Sequence, residues 1–298
     1  MLTGIQIAFI GGDARQLEVI KHCIEQDATV YLIGFDNLDS QYSGSRKSDL
    51  TPDVLRDIDV LVLPIVGTDD SGVVESIFTS KPILLTDELM MSLAKKCTVY
   101  TGLAKPYLYN LCKKHDIPLV EMLNRDDVAI YNSIPTVEGA LMMAIQNTDI
   151  TLHGANIFVL GMGRVGQTLA RTLKALGGKV NVCVRRPEQY ARAEEMGFTA
   201  LYSGELKAHV YDADIVFNTV PAAIVTAEVI KQMPGHTLII DLASKPGGTD
   251  FRYAERRGIK AMLAPSLPGL VAPKSAGRIL AITLSQLIDE QMNEREGA

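Results

Sequence analysis

The stretch IFVLGMGRVGQTLARTLKALG, residues 157–177, decides the fold. An apolar run of strand character reaches Gly161 and a turn follows. A helical pattern then opens, with Val165, Leu169, Leu173 and Leu176 at three- and four-residue spacing. Gly161, Gly163 and Gly166 form a GxGxxG between the two. Alone, that motif is a weak signal. Placed between strand and helix, and followed by the β-branched run KVNVCVR at 179–185, it predicts a βαβ unit that binds a dinucleotide. Gly161 permits the tight turn, Gly163 lets backbone approach a pyrophosphate, and Gly166 allows close helix–strand packing. Met162, Arg164 and Val165 complete the binding turn, where helix N–H groups and the positive dipole end meet the phosphates. The alternative is a glycine-rich turn that binds nothing.

The end of the second strand reads the cofactor. A site for NAD carries an acid there for the ribose 2′-hydroxyl. Here the residues are Val184-Arg185-Arg186-Pro187, with no acid and two guanidiniums whose forks match a 2′-phosphate. The reading is NADP over NAD; solvated strand-end arginines are the alternative. Two further loops follow strands. Thr219, Val220 and Pro221, at the end of DIVFNTV (214–220) and just beyond it, and Ser244, after TLIIDLA (237–243), are candidates to line the nicotinamide half. Lys245 is either a partner for a substrate carboxylate or a surface lysine.

Outward from this motif, strands continue to IKAMLA (259–264). A second series lies upstream at 5–11, 29–34, 59–65, 82–86 and 98–101, with a further candidate VAIY at 128–131. Strands alternating with helical patterns predict an α/β protein of two Rossmann-like, doubly wound parallel-sheet domains. The expected division is 1–132 as a substrate-side domain, 133–150 as a linker helix, 151–274 as the NADP domain and 275–298 as a helix returning to the first domain. A cleft between the domains is the expected ligand site. Pro135 is expected in the first turn of the linker helix. The segment APSLPGLVAPKSAG (264–277), carrying Lys274, is expected as a loop over the cleft or as a rigid connector. Gly11-Gly12-Asp13-Ala14-Arg15 also follows a strand and opens a helix. It holds a small anion through backbone N–H groups and Arg15, or it is a tight turn with an Asp13 cap.

The chain has 298 residues and net charge −6. That balance, without clustered Lys and Arg, argues against a nucleic-acid surface. The four cysteines form no CxxC pair and read as reduced core thiols, and the five scattered histidines give no metal spacing. The N-terminus lacks a basic region before its short apolar run, and no run approaches 18 apolar residues, so neither signal peptide nor membrane span is expected.

GGDAR near the N-terminus, NSIPTVEGA (132–140), LHGANIFVLGMGRVG (152–166), IDLASKPGGTDF (240–251) and LPGLVAPKSAG (267–277) occur in this order. Together they resemble the dipicolinate synthase A-subunit family of spore-forming bacteria, over essentially the whole chain. The overall plan is also similar to 2-hydroxyacid dehydrogenases and S-adenosylhomocysteinase. The resemblance implies oxidation of a dihydrodipicolinate-type intermediate of the lysine pathway to pyridine-2,6-dicarboxylate for the spore. It also implies a location in the mother-cell cytoplasm and a second, flavoprotein-like subunit; assembly with further copies of the chain stays open. On the matching motifs, Gly12, Asp13, Arg15, Ser133 and Thr136 become substrate-binding candidates. Lys245 and Lys274 become carboxylate partners at the reaction centre, and Glu138 or Asp13 the proton acceptor. The late histidine of hydroxyacid dehydrogenases is missing, since none follows His236. That departure argues against a simple hydroxyacid activity, and the alternative it keeps open is a binding-only subunit.

Overall fold

The computed structural model describes residues 1–39 and 42–296; Gly297 and Ala298, the end of the expected 275–298 segment, lie outside the described residues. The chain divides into two compact units, Met1–Tyr131 with Ala272–Ala298, and Asn132–Val271.

In the first unit the strands are β1 (Gln6–Ile10), β2 (Thr29–Ile33), β3 (Ser45–Lys47), β4 (Val60–Val62), β5 (Val73–Val74), β6 (Ile83–Leu84), β7 (Thr98–Thr101) and β8 (Leu119–Glu121). Six of them form one parallel sheet, in the order β3-β2-β1-β4-β7-β8. Ile7 and Phe9 of β1 enter one apolar core, while Ala8 and Ile10 enter another on the opposite face. Burial on both faces explains why these strands read as unbroken apolar runs. The last helix, Pro273–Glu296, supplies Leu280, Ala281, Leu284 and Ile288 to the core that also holds Val19, Ile20 and Cys23 of the Ala14–Glu25 helix. Gly277 permits this close approach, because a Cβ there would stand 2.5 Å from the Arg15 carbonyl oxygen.

The second unit repeats the plan. Its strands are β9 (Asn156–Leu160), β10 (Lys179–Val184), β11 (Thr199–Tyr202), β12 (Ile215–Asn218), β13 (Leu238–Asp241) and β14 (Lys260–Leu263). All are parallel, in the order β11-β10-β9-β12-β13-β14. Both sheets therefore have the strand order of the Rossmann fold.

Four local expectations are corrected. VAIY (128–131) is not a strand; it lies in the helix Asp126–Asn147. Asp126 and Asp127 suit a helix N-terminus, and Asp127 accepts the Val128 N–H at 2.9 Å while pairing with Arg125. Pro135 consequently sits inside that helix rather than in its first turn. Of 82–86, only Ile83–Leu84 is extended, and it pairs antiparallel with Val73–Val74 outside the main sheet. The 264–277 segment is largely helical: Leu267–Val271 is one turn, and Pro273, at the first helical position, opens the last helix. Lys274 is thus an exposed residue in that helix's first turn. The Asp126–Asn147 helix has the length and mean apolarity of a membrane span, yet its Val137, Ala140 and Ala144 pack in the core with Leu169, Ala170 and Leu173.

Asp13 caps the Ala14–Glu25 helix, accepting the Arg15 N–H at 2.9 Å, and also binds the Arg15 guanidinium at 2.5 Å. Burial pushes the Asp13 carboxyl up, but the Arg15 hydrogen bonds and charge outweigh it and hold the group below its ordinary value. Asp13→Ala is expected to cost about 1 kcal/mol, read as a lower urea midpoint at pH 7. The ion-pair share is full above the unfolded carboxyl's titration range near pH 4 and is lost as pH falls through the lowered native value. An unchanged midpoint would refute the cap.

Candidate functional site

In the second unit the chain leaves β9 toward β10 and later returns to β12 on the other side. Ligands of open α/β sheets bind outside the carboxyl ends of strands at such a switch point. The Gly161–Gly166 turn and the Thr219–Pro221 loop stand at this edge.

The three glycines have separable roles. Gly161 has φ +100°, its N–H donates to the Cys183 carbonyl at 2.8 Å, and a Cβ would meet Thr219 Oγ1 at 2.5 Å. At Gly166 a Cβ would collide with the Gly161 carbonyl oxygen. Both are required by packing within the chain. Gly163 is different: its φ is −85°, a conformation any residue adopts, and nothing lies within 4 Å of where its Cβ would be. It is the N-cap of the Arg164–Ala175 helix, which has no side-chain cap hydrogen bond. Nothing in the chain requires glycine there, whereas close approach of a phosphate does. The turn therefore fits a dinucleotide. Met162 is buried beneath it, and Gln167 Nε2 donates to its carbonyl at 3.2 Å.

Thr219 acts first on the scaffold, since its N–H and hydroxyl both donate to the Leu160 carbonyl, at 2.9 and 2.7 Å. Beside it lies a network that the residue pattern did not reveal. The Asp241 carboxylate is 0% exposed. Its Oδ1 accepts from Asn218 Nδ2 (2.9 Å) and the Ala243 N–H (3.0 Å), and its Oδ2 from the Gly248 N–H (2.8 Å) and Thr249 Oγ1 (2.7 Å). Asn218 also bonds both polar groups of Val220. One buried acid thus ties the loop after β12 to the loop after β13. Ser244 and Lys245 stand exposed on the second loop, and Lys245 has no ion pair among the described residues.

At the end of β10, Val184 is buried and Arg185 and Arg186 are exposed. Arg186 Nε lies 3.1 Å from a Glu188 carboxylate oxygen. Of the remaining candidates, Ser133 is buried and shares a 2.7 Å hydrogen bond with Thr168 of the Arg164–Ala175 helix. Thr136 donates to the Asn132 carbonyl within its own helix. Glu138 is exposed, and Lys274 belongs to the other compact unit.

The turn at Gly11–Gly12 corrects the anion reading. Gly11 N–H donates to the Ile33 carbonyl and Gly12 N–H to the Glu75 carbonyl, at 2.9 and 2.8 Å, while the Gly12 carbonyl accepts from Ile77. Ser76 Oγ bonds the Gly34 carbonyl, and Phe78 stacks on Phe35. Residues 75–78 thus take up the backbone groups of Gly12 that an anion would have used. Arg15 is buried against Asp13. The cysteines are buried and free; burial pushes Cys23 and Cys183 to about 12 and Cys112 to about 11, so none of these three is an activated nucleophile. No metal-ligand cluster occurs among the described residues.

The N-terminal domain model of the dipicolinate synthase A-subunit matches residues 6–123. The dipicolinate synthase A-subunit of Bacillus subtilis (strain 168) is 49% identical over 290 residues, 97% of this chain and 98% of that protein. The chain belongs to the dipicolinate synthase A-subunit family. Its second half matches the C-terminal domain model of alanine dehydrogenase/PNT, over residues 130–295. A crystal structure of the family from Bacillus halodurans superposes with TM-score 0.93 at 51% identity, covering 96% of this chain and 98% of that one. The transhydrogenase of Sinorhizobium meliloti shares the fold alone, with TM-score 0.69 at 18% identity over 95% of this chain and 93% of that one. The second unit of this family member is accordingly a dehydrogenase-type domain.

Proposed function

We propose that this chain, acting with a second, flavoprotein-like subunit, oxidises a dihydrodipicolinate-type intermediate of the lysine pathway to pyridine-2,6-dicarboxylate, using NADP. The observation that carries the reading is membership of the family over the whole length of the chain. The reading extends to sporulation and a mother-cell location, for which the same membership is the support.

When bound, NADP⁺ supplies the hydride acceptor. The chain's own residues position it. The Gly161–Gly166 turn would receive the pyrophosphate, the arginine-bearing end of β10 would face the 2′-phosphate, and Thr219–Pro221 and Ser244 would line the nicotinamide side. Conversion of a dihydropyridine to a pyridine removes one hydride and one proton and gains aromatic stabilisation, so catalysis rests mainly on placing the ring. Lys245, exposed on the same sheet edge without an ion partner among the described residues, is assigned to a substrate carboxylate. Glu138 and Lys274 receive no role in this reading.

The test supplies purified chain with NADP⁺ and freshly generated 4-hydroxytetrahydrodipicolinate, following NADPH and dipicolinate separately. The expected result is their appearance in step once the second subunit is present. NADPH binding without NADPH formation under any combination would instead favour a binding-only subunit. That second reading draws on the lack of a histidine after His236.

A further inference from the structure

We infer that the cofactor's 2′-phosphate is read by Arg185 together with Ser203, and that Arg186 is withheld from it. The inference rests on the NADP reading and names the residues that would produce it. β10 and β11 run parallel with Val184 opposite Tyr202. Arg185 and Ser203 are the next residue beyond each strand, and Ser203 N–H donates to the Val184 carbonyl at 2.8 Å. This bond holds Ser203 beside the end of β10.

The side chains there differ in how far the chain already uses them. Arg185 is exposed and forms no ion pair among the described residues. Ser203 is half-buried, and its hydroxyl has no hydrogen-bond partner among them. Arg186, by contrast, is the N-cap residue of the Pro187–Glu195 helix, and its guanidinium is held by Glu188 in that helix's first turn. Arg186 thus already faces a carboxylate, which would also repel a phosphate brought to it, whereas Arg185 has no ion-pair partner among the described residues to exchange. The other acid at this edge, Glu205, accepts the Tyr202 N–H at 2.9 Å, so its carboxylate is turned onto the backbone. A planar guanidinium and a hydroxyl donor on adjacent strand ends are a fitting pair for a phosphomonoester. A bare 2′-hydroxyl offers the guanidinium no charge to pair with, and the acid that would accept its proton is absent from the end of β10.

The experiment titrates NADPH and NADH into the wild type and into Arg185→Ala, Arg186→Ala and Ser203→Ala, by fluorescence or calorimetry. Arg185→Ala is expected to weaken NADPH about 10- to 100-fold, the worth of a charge-assisted hydrogen bond or two, with NADH unchanged. Ser203→Ala is expected to weaken NADPH about 3- to 10-fold, again without effect on NADH. Arg186→Ala is expected to leave both cofactors within about threefold. A loss at Arg186 equal to that at Arg185, or a Ser203 variant that binds NADPH normally, overturns the assignment while NADP specificity stands. A wild type that binds NADH as tightly as NADPH overturns the NADP reading itself. All three positions are at the surface, and 2′,5′-ADP against 5′-AMP repeats the comparison without the nicotinamide half.

Discussion

Gly163→Leu is expected to raise the Kd for NADPH at least about 100-fold while leaving the melting temperature within about 2 °C. The two halves of that result come from one geometry. A leucine meets no obstacle in the folded chain, because φ is −85° and the space around the Cβ position is open. That same space is where a pyrophosphate must come against the helix N-terminus, so a branched side chain excludes it by contact. Gly161→Leu and Gly166→Leu serve as controls with the opposite signature. Each would force a side chain into Thr219 or the Gly161 carbonyl, so stability falls with binding. Titration with NADPH and a thermal melt of each variant check the contrast. Retained NADPH affinity in Gly163→Leu would remove this turn as the cofactor site.

Asp241→Ala is expected to destabilise the second unit by about 3–5 kcal/mol, as for breaking a buried charged network, and to lower its melting temperature by roughly 10 °C. The loss exceeds that of a cavity alone. Asn218 Nδ2, the N–H groups of Ala243 and Gly248, and the Thr249 hydroxyl would be left without their acceptor in a water-free place. Asp241→Asn keeps the volume but turns an NH₂ toward donors, so it should lose nearly as much. Calorimetry on both variants reads the effect, and a shift below about 2 °C in both would mean the network contributes little. Because the loops after β12 and β13 share this acid, NADPH affinity should fall with stability here, unlike in Gly163→Leu.

The strand, glycine turn and helix at 157–177 were legible because their determinants are local. Three glycines, an apolar run before them and a helical stripe after them lie within residues 157–177, and each acts on neighbours in the chain. That Arg185 and Arg186 end a strand was legible for the same reason, but not that Glu188 lies 3.1 Å from Arg186. The short strands Ser45–Lys47 and Thr199–Tyr202 were missed since they are edge strands with at least one exposed end, and so lack the apolar signal of a central strand. VAIY read as extended from its β-branched residues, while the capping acids before it decided for helix.

By itself the sequence determined two α/β units with parallel sheets, the glycine-rich strand–turn–helix of the second, and the absence of an acid at the end of that unit's second strand. Those follow from periodicity and residue chemistry over short spans. Only the tertiary structure decided what packs against the first glycine turn. Gly11–Gly12 is too short for a dinucleotide fingerprint, but its sequence does not show that residues 75–78 arrive from a distant part of the chain to take the Gly12 N–H and carbonyl. Tertiary structure likewise decided that Asp241 is a buried tie rather than a strand-end acid facing a ligand. Such choices rest on long-range pairing of backbone groups and on burial, and no local pattern encodes which distant segment will satisfy a given N–H.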